Sequence, residues 1–156
     1  MKKTVCALLA ALACFAALTG CGGEKETEVQ VYSFSGENEQ LKLSDGAIVL
    51  KEEKEVLRGG TLEQTPQELG DVRAYTVEFF LEQGGEKTVL LSNSAENASG
   101  GTVALNEEIG SIAGDVFPSP LPEDWQNSLR FSLQATDRNG VQHTYLLELD
   151  VTEVTG

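Results

Sequence analysis

Past residue 21 this chain has no cysteine. Its three cysteines are Cys6, Cys14 and Cys21, in a sequence of 156 residues. The remainder therefore holds no disulfide, no thiol nucleophile and no cysteine metal site, and must fold on its core alone. Histidine is almost as scarce, with His143 the single one. One histidine cannot build a zinc site of the usual kind, and it leaves no ready set for Cys/His or Ser/His hydrolysis. Gly110-Ser111-Ile112-Ala113-Gly114 carries its serine one position early for a Gly-x-Ser-x-Gly elbow. Positive charge is short too: 11 Lys and Arg stand against 25 Asp and Glu, a formal charge of −14. Such a surface repels nucleic-acid phosphate and anionic head groups, so no nucleic-acid partner is expected. Aromatic residues make up 6% of the chain, few for a sugar-cleaving cleft, and so many acids pair by chance. The pairs Gly59-Gly60, Gly84-Gly85 and Gly100-Gly101 lack a P-loop lysine and read as turns. No cofactor is implied, and the chain reads as a non-enzyme.

What is present begins at the N-terminus. Lys2 and Lys3 precede Thr4 to Leu18, an uncharged run of 15 residues rich in Ala and Leu. A membrane-spanning helix needs about 20 apolar residues, so this run is short for one and fits a secretory leader. It ends in Leu18-Thr19-Gly20-Cys21. This tetrapeptide resembles the lipobox of bacterial lipoproteins. The resemblance implies cleavage before Cys21 and a diacylglyceryl group on its sulfur. It also implies a membrane partner through that lipid, on the extracytoplasmic face of the cell membrane. Residues 1–20 are then a removed signal peptide, 21–28 the lipidated cysteine with a polar tether, and 29–156 a single domain. The alternative is ordinary secretory cleavage after Ala11-Leu12-Ala13. Removal of residues 1–20 takes away Lys2 and Lys3 but no acid, which moves the formal charge to −16 over 136 residues.

From Val29 onward the pattern is short strands between turns. Runs at 29–34, 39–43, 46–51 and 55–57 are separated by Ser, Gly, Asn, Asp or charges. In 73–82, Tyr75, Val77, Phe79 and Leu81 share one face while Phe80 lies on the other, which predicts partial cover on both sides. Gln83-Gly84-Gly85-Glu86 predicts a hairpin into 87–92. Residues 102–105 and 111–116 read as further strands. Near the C-terminus Leu129, Phe131, Leu133 and Ala135 share a face. Asp137-Arg138-Asn139-Gly140 follows, where Asn-Gly supplies positive φ angles for a tight turn. Val141, His143, Tyr145, Leu147, Leu149 and Val151 then form the inward face of one long return strand. One helical turn is expected near 121–128, with Pro122 near its first position and Asp124 in its first turn. Eight to ten strands in a chain of this size predict an all-β antiparallel β-sandwich. The final hairpin resembles that of bacterial immunoglobulin-like modules, although the Cys…Trp…Cys signature is absent. Lipobox, acidic tether and an opening Tyr32-Ser33-Phe34-Ser35-Gly36-Glu37 together resemble small Gram-positive lipoproteins of unassigned function.

Few side chains stand out as sites. Asp137, Asn139 and Asp150, and separately Glu107, Glu108 and Asp115, offer oxygens for calcium. The first group lacks the remaining EF-hand positions, and turn chemistry accounts for it. Residues 116–125 hold three of the four prolines and the single tryptophan. Phe117 and Trp125 there read in two ways: as an exposed interaction surface, or, preferred, as a plug closing one end of the sandwich. The functional expectation is a lipid-anchored binding or scaffolding module for a protein or glycan partner. A solute- or glycan-binding accessory lipoprotein is the first alternative and a small envelope hydrolase the second.

Overall fold

Tyr75, Val77, Phe79 and Leu81 need one apolar neighbour surface, and Leu129, Phe131, Leu133 and Ala135 offer the same need from a second strand. Pairing the two strands puts both sets on one side of a sheet. A computed structural model describes residues 28–52, 54–64, 72–105 and 107–154. It shows two antiparallel sheets packed face to face, an all-β sandwich. The strands are β1 (Gln30–Glu37), β2 (Leu41–Leu50), β3 (Glu55–Arg58), β4 (Thr61–Gln64), β5 (Val72–Gln83), β6 (Glu86–Glu96), β7 (Ser111–Gly114), β8 (Leu129–Asp137), β9 (Gln142–Glu148) and β10 (Asp150–Glu153). One sheet runs β10-β1-β2-β3-β7, with β4 also paired to β2; the other runs β6-β5-β8-β9. A single helical turn, α1 (Trp125–Ser128), precedes β8. Among the described residues no helix is long and apolar enough to cross a membrane.

The core is aromatic at its centre. Phe79 and Phe131 are fully buried, with ring centroids 5.1 Å apart, and Phe34 from the facing sheet lies 5.5 Å from Phe79. The first sheet bends around a shared kink. β2 pairs β4 through residues 41–44 and β3 through 47–49, and Gly59-Gly60 bridges the two short strands. Asp45 and Gly60 both have positive φ there, 58° and 79°. Opposite Gly46, Phe34 lays its ring where a side chain would otherwise stand.

Several expectations shift in detail. Runs 39–43 and 46–51 are one strand, β2, and β4 was not anticipated. Of 102–105, Val103 alone bridges, to Val72, and 111–116 shortens to β7. In the β5–β6 turn Gly84 and Gly85 both have positive φ, as a two-residue hairpin requires. In the β8–β9 turn only Gly140 does, so Asn139 is not left-handed. Asp137 explains this. Its Oδ1 accepts from Asn139 N at 2.8 Å and Val141 N at 2.9 Å, while Gly140 N donates to its carbonyl at 3.1 Å. The result is a three-residue loop with glycine at the bulge rather than a two-residue turn. The helix is also shorter than expected. It begins at Trp125, whose N–H meets the Pro122 carbonyl at 3.2 Å; Asp124 occupies the N-cap position without a side-chain cap.

The long return strand is two strands. Leu149 lies between β9 and β10, and the chain passes there from one sheet to the other. The inward face expected from Val141 onward is covered only in its later part: Leu147 and Leu149 are buried, whereas Val141 and His143 are exposed. Asn38, in the β1–β2 turn, donates to the Leu146 carbonyl at 3.1 Å. Nearer its tip the hairpin runs past that turn, so Val141 and His143 have no β1 beside them.

Candidate functional site

Each sequence-predicted site residue has a definite place or falls outside the described residues. Cys21 and the tether to residue 27 are outside them. Phe117 and Trp125 are buried, at 7% and 4% exposure. Trp125 meets Tyr32 edge-on at 5.0 Å and Phe117 at 5.4 Å. Neither ring is presented to solvent, so the loop offers no aromatic surface of the kind an exposed Trp125 would make. Burial, then the nearby Glu153 and Glu28 carboxylates, push the Tyr32 phenol above its ordinary pKa, against a hydrogen bond with Gln126.

An unanticipated acid organises this end of the sandwich. Glu55, the first residue of β3, accepts through Oε2 from Val116 N and Phe117 N, each at 2.7 Å. These charge-assisted bonds fasten the proline-bearing loop to the sheet. Gln83 Nε2 donates to Ser128 Oγ at 3.2 Å and so ties β5 to the end of α1. Arg130 Nη1 donates to the Asn127 carbonyl at 2.8 Å as the helix ends, and also to the Leu129 carbonyl at 3.0 Å, which accepts from Leu149 N as well. Glu55 also lines a groove of about 350 Å³ together with Glu28, Gln30, Leu50, Lys51, Glu52 and Leu121. Glu55→Ala should cost about 1–3 kcal/mol, because two partly buried N–H groups lose a charged acceptor. Glu55→Gln, which keeps an oxygen, should cost less. Urea denaturation of both variants, followed by Trp125 fluorescence, checks the order.

The partial cover that Phe80 predicts lies on the outer face of the four-stranded sheet. Phe80 is 5% exposed although it points away from the core. Lys87 Nζ sits 4.3 Å from the Phe80 ring centroid and also pairs with Glu78. On the next strand Arg130 pairs opposite Phe80 and lies 3.9 Å from Glu82 and 3.8 Å from Glu148. Ser132, on the same face, is the one buried side-chain oxygen or nitrogen among the described residues without a hydrogen-bond partner. The Phe79-Phe80 pair was the only signal of this cover visible in the sequence.

The acids do not converge. Among the described residues no group of three or more His, Cys, Asp or Glu side chains could hold a metal ion. Asp137 spends Oδ1 on its turn, and Oδ2 lies 3.5 Å from His143 Nε2. The hydrogen bond from Val141 N, followed by those from His143 and Asn139 N, holds this carboxyl below its ordinary pKa. Ser111 lines a shallow cavity of about 160 Å³ with Arg58, Thr61 and Glu108, and no histidine borders it. A third hollow, about 410 Å³, is edged by Ser35, Glu37, Lys42, Ser44 and Asp150. These linings mix charged and apolar side chains, with Leu43 in the third hollow and Leu50 and Leu121 in the groove beside Glu55.

Comparison with known proteins gives no match to any family model, any curated protein or any solved structure.

Proposed function

We propose that this protein is a lipid-anchored binding or scaffolding module on the extracytoplasmic face of the membrane, and not an enzyme. One observation carries the reading: Leu18-Thr19-Gly20-Cys21 closes an uncharged run that follows Lys2 and Lys3, and the first strand opens at Gln30, only a short polar tether further on. A sandwich joined to a lipidated cysteine in this way suits a role of display. Two or more acyl chains give stable anchoring where one gives only marginal binding. The side chains available for chemistry agree with display. His143 stands exposed at a hairpin tip beside Asp137, and no histidine borders the described grooves.

The test is the chemistry of Cys21. Cells fed a labelled fatty acid should incorporate it into the wild-type protein, and the intact mass of the mature form should start at Cys21 and include the diacylglyceryl group. Cys21→Ser should abolish the label, since a hydroxyl cannot form the thioether. A mature chain that starts elsewhere, or that carries no lipid, would defeat the proposal.

A further inference from the structure

We infer that the sandwich stands end-on to the bilayer, with the α1 end facing the lipid and the β8–β9 hairpin tip farthest from it. The inference rests on the Cys21 anchor proposed above. The chain enters the sandwich at β1, and register fixes what lies beside that entry. Gln30 pairs with Leu50, so the β2–β3 loop leaves next to the tether. Val154 N donates to the Val31 carbonyl at 2.7 Å, which brings the end of β10 to the same place. Trp125 against Tyr32 and Glu55 against the Phe117 N–H add α1 and the proline loop. At the other end, Val72 pairs with Asp137 and Leu41 with Gln64, and the hairpin tip runs past the β1–β2 turn.

Reach and charge then set the posture. Residues 22–28 span at most roughly 23 Å, at about 3.3 Å each. The entry end therefore stays near the lipid, while β8, nine residues long, carries the far turn about 30 Å further. Lying flat would bring a whole flank of a domain with formal charge −14 over residues 29–156 within the Debye length, about 8 Å at physiological salt. Standing on end brings only one pole close. That pole is itself acidic: Glu28, Glu52, Glu55, Asp115, Glu123 and Asp124 outnumber Lys51 and Lys54, and the β5–β6 turn at the same end adds Glu82 and Glu86 beside Lys87 and Arg130. It is therefore held off anionic head groups at the limit of the tether rather than pressed onto them.

The test uses the full lipidated protein in vesicles of phosphatidylcholine and phosphatidylglycerol at physiological salt. A donor dye goes on Lys54→Cys or on Asn139→Cys, both exposed, and an acceptor on the head groups. With the Cys21 sulfur in its thioether, the introduced cysteine is the only free thiol. Energy transfer should be strong from position 54 and weak from 139, with a separation in height of about 25–30 Å. Equal or reversed heights, in protein that floats with the vesicles, would overturn the orientation and leave the anchor intact. Protein that neither floats nor carries lipid by mass would overturn both.

Discussion

Phe79→Ala should lower the stability of the folded domain by about 3–5 kcal/mol, the range for emptying a buried aromatic site. Phe79 has no exposed surface and lies between Phe131 on its own sheet and Phe34 on the facing one. Its neighbours cannot close the gap easily, because Phe34 is already seated over Gly46 and Ile109 fills the space over Gly59. Single domains are stable by only about 5–15 kcal/mol, so the loss removes a large share of the total. Should the alanine variant fail to accumulate, Phe79→Leu, at about 1–3 kcal/mol for the carbons lost, remains measurable. Phe80→Ala is the internal control. That ring is nearly as hidden, but it faces away from the core, with Lys87 over it and Arg130 and Val89 as its cross-strand neighbours. They can fold into the vacated space, so the cost should fall below the range for Phe79. Urea midpoints of the three variants decide the matter, and equal losses at 79 and 80 would show that the two sheets do not meet at Phe79.

That contrast was half legible in the sequence. Alternation placed Tyr75, Val77, Phe79 and Leu81 on one face, and the structure buries all four. It also set Phe80 apart, but could not say what lies beside it, because Lys87 and Arg130 come from different strands. Other features were hidden for definite reasons. β4 has four residues and one buried side chain, Leu62, too few to show a period of two. The crossing at Leu149 is invisible to alternation, because both sheets turn their inner faces to one core. A chain that switches sheets continues to bury every second residue, as Leu147 and Leu149 do. The Glu55 clamp joins positions 61 and 62 residues apart, and nothing local marks it. Phe117 and Trp125 had the composition of either a plug or a platform, and only their burial tells the two apart.

Gly60→Ala should be strongly destabilising, at about 2–5 kcal/mol. Two costs add. Gly60 has φ of 79°, where a Cβ costs roughly 1–2 kcal/mol. The new methyl would also stand 2.2 Å from the Ser44 carbonyl oxygen and 2.7 Å from Gly46 N, inside contact distance of backbone that cannot swing aside. Overpacking of this kind adds about 1–3 kcal/mol. The strand pair must then separate where β2 changes partner from β4 to β3, and this kink seats Phe34 over Gly46. Gly84→Ala separates the two costs. Gly84 also has positive φ, 58°, but a Cβ there meets nothing within 4 Å, so it carries the conformational cost alone. A thermal or urea comparison should place Gly60→Ala well below Gly84→Ala. Equal losses would mean that backbone conformation, and not the close approach of β2, is what requires glycine at position 60.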